Sequence, residues 1–174
     1  MKILDKEFEI YITQSDMEKN IDRISNQINN DYKDKNPLFI VMLNGAFMFA
    51  TELLQRINIP CEVSFVKCVS YDGIIQGDRR ELIGVDFTVG DRDIIIIEDI
   101  VDTGATMDWL TKLLNSCCAK SVKIATMLFK SGAFEYDYKI DYIGEEIDND
   151  FVVGYGMDYN GYGRNLTSIY KLCN

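Results

Sequence analysis

The 174-residue sequence contains no histidine and only two prolines. Without histidine the usual zinc ligand and the usual neutral-pH acid–base group are missing, which excludes a Ser-His-Asp triad and a histidine-based zinc hydrolase. Acid–base chemistry must then fall to carboxylates, lysine or tyrosine. Positive charge is also scarce: 18 Lys and Arg stand against 28 Asp and Glu, a formal net charge of −10. Such a surface repels phosphate polymers and anionic bilayers, and no local basic patch offsets it, so neither nucleic-acid nor membrane partners are expected. Residues 1–7 offer no sustained apolar core or small-residue cleavage site, and no apolar run reaches bilayer-spanning length; a cytoplasmic location is expected. The cysteines (Cys61, Cys68, Cys117, Cys118, Cys173) include no Cys-x-x-Cys pair and are odd in number, the pattern of buried free thiols rather than disulfides.

What is present is a folding chain. Hydrophobic residues make up 47% and charged residues 26%, with 10 Tyr and 9 Phe, a composition that excludes general disorder. Its length suits one domain over residues 1–174, at roughly 100–200 residues per domain. Ser15-Asp16-Met17-Glu18 fits a capping box, and Ile21, Ile24 and Ile28 follow at helical spacing, predicting a helix to about Tyr32. The apolar run 38–43 suits a strand buried on both faces of a parallel sheet, closed by Asn44-Gly45. Residues 47–56 carry helical periodicity and 61–71 read as the next strand. Residues 71–82 are polar and aperiodic, which predicts a mobile lid loop, and 84–88 form the next predicted strand. Ile94-Ile95-Ile96-Ile97 predicts a central strand; Met107, Leu110 and Leu114 mark a helix, and 122–129 a further strand ending at Lys130. The tail beyond it mixes short apolar runs with Gly and Tyr and reads as irregular.

Alternating strands and helices imply an α/β domain with a mainly parallel sheet, which binds ligands at the carboxyl ends of its strands. Three polar clusters fall there: Asn44-Gly45, the stretch from Glu98 to Thr106, and Lys130. At the start of the helix Thr103, Gly104 and Thr106 gather backbone N–H groups and hydroxyls, which makes an anion site suited to a terminal phosphate. Glu98 and Asp99, adjacent carboxylates at the strand end, suit a pair of neighbouring hydroxyls. Together they describe a sugar phosphate bearing a diol. Taken singly, the same residues also fit a helix start dressed with acidic caps.

The whole unit from Glu98 to Thr106 resembles the phosphoribosyl-pyrophosphate motif of the type I phosphoribosyltransferases. Leu43-Asn44-Gly45, Ser70-Tyr71, Lys130, Phe151-Val152-Val153-Gly154-Tyr155, Asp158-Tyr159 and Arg164 follow in the order found in the hypoxanthine-guanine phosphoribosyltransferases, from about Ile10 onward. The resemblance implies the type I fold, a central mainly parallel sheet flanked by helices with a small hood built from the terminal segments. It also implies magnesium-dependent transfer of phosphoribose from phosphoribosyl pyrophosphate to a 6-oxopurine, giving inosine or guanosine monophosphate and pyrophosphate in purine salvage.

By the same resemblance Asp102 is the general base, although it also fits a helix N-cap. Glu98, Asp99, Asp102, Thr103, Gly104, Ala105 and Thr106 hold the phosphoribosyl group. Lys130, Phe151, Val152 and Asp158 receive the purine; Leu43, Asn44, Gly45, Ser70, Tyr71 and Arg164 meet pyrophosphate; Glu98, Asp99 and Asp158 organise Mg²⁺. Alone, Lys130 reads as a surface lysine, Phe151 as core, and Asp158 and Arg164 as solvated charges. Asn44 departs from the family, which usually carries a basic residue there, and an amide supplies no charge to pyrophosphate. A cis or switching Leu43–Asn44 peptide and a homodimer or homotetramer are also implied. Two other readings compete: a phosphoribosyltransferase-fold, nucleotide-sensing RNA-binding regulator, which the acidic composition opposes, and a dinucleotide-binding oxidoreductase, for which no G-x-G-x-x-G is present.

Overall fold

The computed structural model describes residues 1–71, 79–84 and 87–173. Its elements run β1 (Lys2–Ile3), β2 (Lys6–Ile12), α1 (Gln14–Asp31), β3 (Leu38–Leu43), α2 (Phe47–Leu54), β4 (Glu62–Tyr71), β5 (Arg79–Ile83), β6 (Asp93–Val101), α3 (Ala105–Ser116), β7 (Ser121–Phe129), β8 (Tyr142–Glu146), β9 (Val152–Val153) and β10 (Ile169–Leu172). Six strands form the main sheet in the order β5-β4-β3-β6-β7-β8, all parallel except β5, which pairs antiparallel with β4. The isoleucines Ile94 to Ile97 are fully buried in β6, as unbroken apolar strands between parallel neighbours must be. Helix α1 turns Met17, Ile21, Ile24 and Ile28 inward, and α3 turns Met107, Leu110 and Leu114 inward. These stripes join the strands in one apolar core.

The register decides where chemistry can sit. Strand β3 pairs with β6 only as far as Val41↔Ile97, whereas β7 follows β6 to Val101↔Phe129. Strand β6 therefore runs on past its pairing with β3, and the Asn44-Gly45 turn follows the end of β3. The parallel strands point one way, so Asn44, Asp102 and Lys130 gather on one edge of the sheet.

A second sheet, β1-β2-β10-β9, joins the two terminal segments antiparallel and forms the hood. Ile3, Phe8 and Val153 make its own small buried cluster. The irregular tail expected from local pattern is thus corrected: it carries β8, β9 and β10. These are short strands whose partners are distant in sequence, so no local periodicity announces them.

Other boundaries also move. The cap of α1 is Thr13, whose Oγ1 accepts from Asp16 N–H and donates to Asp16 Oδ2 at 2.6 Å; β2 ends at Ile12, so the helix starts ahead of Ser15. The strand expected at 84–88 falls partly outside the described residues; the strand described next to it is β5 at Arg79–Ile83, paired with β4 through Ser70↔Arg80 and its neighbours. This takes residues 79–82 out of the expected lid, and 72–78 lie outside the described residues. Nor are the cysteines buried: Cys117, Cys118 and Cys173 are exposed and Cys61 and Cys68 partly so, because Cys117 and Cys118 follow the last inward residue of α3 and Cys173 follows β10.

Ile96 tests the assignment of the core. Replacement by Ala is expected to lower stability by about 2–5 kcal/mol, read as a reduced urea midpoint at unchanged slope. A loss below about 1 kcal/mol would place the core elsewhere.

Candidate active site

Strand β6 runs into α3 through Asp102, Thr103 and Gly104. Gly104 takes φ +91° as the residue before the helix, a conformation that an L side chain resists. The turn and first helical residues line a cavity of about 200 Å³, with Glu98 and Asp102 on its rim. Ala105 N–H makes a long 3.4 Å bond to Thr103 Oγ1, and the first turn of a helix presents N–H groups to an anion.

Lys130 reaches this turn through the backbone. Its N–H donates to Val101 O at 3.0 Å, which extends the β6–β7 ladder by one bond and sets the lysine beside Asp102. Lys130 Nζ then lies 3.0 Å from Asp102 Oδ2 and 3.5 Å from Asn149 Oδ1. The lysine side chain is 9% exposed and that of Asp102 is 48% exposed, so a buried cation faces a carboxylate open to ligand. A second cavity of about 250 Å³ is lined by Asp99, Ile100, Asp102, Lys130, Phe151, Val152, Met157 and Asp158. The two cavities meet at Asp102. Phe151 is 45% exposed. Its ring leans on Tyr159, edge to face at 5.8 Å, and on Phe8 at 6.3 Å.

Glu98 and Asp99 form a tight pair. Asp99 N–H donates to Glu98 Oε1 at 3.1 Å, and Asp99 Oδ1 accepts from Ile100 N–H at 2.9 Å. Burial, and then the neighbouring Asp99 charge, push Glu98 well above the ordinary glutamate value; burial also raises Asp99. Gly45 allows this packing, because a Cβ there would stand 1.7 Å from Asp99 Oδ2. A Cβ on Gly156 would stand 1.9 Å from Gly45 O, so the strap leading from the hood rests directly on that turn. Arg164 donates to Gly156 O at 2.7 Å and pairs with Asp158 Oδ1 at 2.5 Å; Asp158 Oδ2 accepts from Gly161 N–H at 2.6 Å. The Leu43–Asn44 peptide is cis, as expected.

Of the residues singled out from sequence, Asp99, Asp102, Lys130, Phe151, Val152 and Asp158 share one cavity, and Glu98 and residues 102–106 share the other. Leu43 to Gly45 adjoin them through Asp99. Ser70 and Tyr71 end β4, and their side chains lie outside the described residues. Sequence reasoning missed Asn149 beside Lys130, and also Phe134 and Tyr138, which pack on Gly104. Only the polar run before Phe151 hinted at the first. No group of three His, Cys, Asp or Glu side chains converges into a metal cage among the described residues. A desolvated carboxylate pair is still a fitting donor set for a hard divalent cation that keeps most of its ligands as water and substrate oxygens.

Because its acid is raised, Glu98 contributes stability that is complete below the ordinary value of 4.5 and is lost as pH rises above it. Glu98→Gln is therefore expected to raise the melting temperature of the metal-free protein at about pH 7.5 and to leave it unchanged at about pH 4. A lower melting temperature for the variant at the higher pH would contradict the assigned burial.

The phosphoribosyl transferase domain family model matches residues 9–160. The chain is 36% identical over 162 residues to the hypoxanthine-guanine phosphoribosyltransferase of Bacillus subtilis, covering 92% of this chain and 90% of that protein. To the enzyme of the same name in Streptococcus thermophilus it is 37% identical over 159 residues, 90% of this chain and 88% of that protein. It is also 34% identical over 162 residues, 92% of its own length, to the bifunctional protein TilS/HprT of Listeria monocytogenes, of which it spans only 25%. Among solved structures, a hypoxanthine phosphoribosyltransferase from Staphylococcus aureus superposes with a TM-score of 0.89 at 32% identity, covering 98% of this chain and 93% of that one. With the β6–α3 turn, the Lys130–Asp102 junction and the terminal hood in place, the chain belongs to the phosphoribosyltransferase family, on the branch of the hypoxanthine-guanine phosphoribosyltransferases.

Proposed function

We propose that this chain transfers the phosphoribosyl group of phosphoribosyl pyrophosphate to N9 of hypoxanthine or guanine in purine salvage, releasing pyrophosphate. The observation that carries this reading is the meeting of a helix-start turn and a cavity sided by Phe151 at one Asp–Lys pair. The 5′-phosphate sits on residues 103–106 and the ribose diol on Glu98 and Asp99. The purine lies on the Phe151 ring with its edge at the Val152 backbone and Asp158.

The transition state is oxocarbenium-like, and charge must be handled at both ends. Lys130 bonds the purine O6 and stabilises negative charge there. As O6 takes up the ammonium, Asp102 loses its counter-charge while it accepts the imidazole proton of the attacking purine. Pyrophosphate departs against the N–H groups of the Leu43–Gly45 turn, with Arg164, Ser70 and Tyr71 alongside. Mg²⁺, held by Glu98, Asp99 and Asp158 partly through water, would neutralise the pyrophosphate charge that a protein of net charge −10 otherwise repels. The proposal includes a single-domain cytoplasmic enzyme, acting as a homodimer or homotetramer, with no nucleic-acid or membrane partner. The Bacillus, Streptococcus and Staphylococcus proteins named above are phosphoribosyltransferases by name, which favours this reading over an RNA-binding regulator. No helix is long and apolar enough to cross a membrane among the described residues.

Incubation with phosphoribosyl pyrophosphate, magnesium and either hypoxanthine or guanine is expected to yield the nucleoside monophosphate, and chelator to abolish it. No product from either base would overturn the reading. Asp102→Asn is expected to lower kcat by about 10²- to 10⁴-fold with an unchanged circular dichroism spectrum; an unaltered kcat removes Asp102 from the chemistry. Asn44→Lys is expected to tighten pyrophosphate binding, by about 0.3–1 kcal/mol for one added exposed charge. Identical calorimetric affinities would show that position 44 contributes only its backbone.

A further inference from the structure

The segment after Lys130 passes behind the β6–α3 turn and bonds it twice. Glu135 N–H donates to Thr103 O at 3.1 Å, and Tyr138 Oη donates to Gly104 O at 2.6 Å. Gly104 O also accepts from Asp108 N–H at 2.9 Å within α3. Leu43–Asn44 is the cis peptide among the described residues, so the peptides following Thr103 and Gly104 are trans, with C=O and N–H antiparallel. Holding these two carbonyls therefore turns the N–H groups of Gly104 and Ala105 away from the clamp; both residues line the cavity, and Ala105 N–H meets Thr103 Oγ1 at 3.4 Å.

Tyr138 is itself held in place. Its ring meets Phe134 edge to face at 5.0 Å, and Phe134 meets Phe129, the last residue of β7, at 5.1 Å in the same way. A Cβ on Gly104 would stand 2.4 Å from Phe134 Cε2 and 2.9 Å from Tyr138 Oη, so the two rings close the back of the turn. Neither ring lines the cavity. Burial, followed by the nearby Asp108 charge, pushes the Tyr138 phenol up to about 12, so it remains a donor at neutral pH.

We propose that Tyr138 is a positioning residue for the phosphate turn: its hydroxyl, donated to the Gly104 carbonyl, sets the Gly104–Ala105 peptide so that the N–H groups of the turn converge on the 5′-phosphate. This rests on the function proposed above and extends it to a residue that does not touch the substrate. Because the clamp starts from Phe129, next to Lys130, it also fixes the spacing between the phosphate turn and the purine lysine.

The test compares calorimetric affinities for inosine 5′-monophosphate and for inosine in wild type, Tyr138→Phe and Tyr136→Phe. Tyr136 is a neighbouring ring without the bond to Gly104, and its variant serves as control. Tyr138→Phe is expected to weaken the monophosphate by about 3- to 10-fold, the equivalent of one lost hydrogen bond. Inosine is expected to change by less than about twofold, and Tyr136→Phe to change neither. In turnover, KM for phosphoribosyl pyrophosphate rises while KM for hypoxanthine holds. A fall in both affinities together, or an unchanged preference for the monophosphate, overturns the role of Tyr138 alone. A wild-type protein that binds the two ligands alike overturns the enzymatic reading and this inference with it. Should Tyr138→Phe not fold, the clamp is read in wild type from Ala105 amide exchange: slowing by the monophosphate but not by inosine supports it, and equal slowing overturns it.

Discussion

One backbone hydrogen bond carries the architecture of the site: Lys130 N–H to Val101 O, the last rung where β7 follows β6. In a parallel ladder buried on both faces, register is set by where the apolar runs begin and end, because a one-residue slip would draw flanking polar residues such as Asp93 or Glu98 into the core. The fully buried isoleucines of β6 pair with Val122, Lys123, Ile124 and Ala125 in β7, and these pairs fix the offset. Lys130 consequently emerges beside Asp102, and its ammonium lands 3.0 Å from the carboxylate. A core contact deep in the sheet thus sets the distance between a cation and an anion at its edge.

The electrostatics run against stability at the same edge. Glu98 and Asp99 are forced together and partly desolvated, and both are raised. Gly45 carries no Cβ, which lets its turn crowd against Asp99, and Gly156 in turn packs on the Gly45 carbonyl. An arrangement that stores unfavourable carboxylate burial gains from a ligand or cation that satisfies it. The net charge of −10 follows the same logic: bulk repulsion of anions is tolerated where a turn, a lysine and an arginine supply local attraction.

Much of this was legible in the sequence for physical reasons. Unbroken runs of β-branched residues such as 94–97 suit strands buried on both faces, and a polar unit between such a strand and a periodic helix marks the ligand edge of an α/β sheet. The Leu43–Asn44 geometry and the hood followed from resemblance, since neither has a periodic signature. What escaped notice depends on contacts between distant segments. The alternation of residues 6–12 becomes a central strand of the hood by pairing with β1 and with the distant β10. Tyr138 gains its meaning only when the chain after Lys130 folds back on Gly104. Arg164, read alone as a solvated charge, is tied to Asp158 and the Gly156 carbonyl.

The most direct test of the central claim is a crystal structure with inosine 5′-monophosphate bound. The account places the phosphate on the N–H groups of residues 103–106, the purine O6 at Lys130 Nζ and the imidazole edge at Asp102. A nucleotide seated away from the β6–α3 turn, or one whose base leaves the Lys130–Asp102 pair intact, would contradict it.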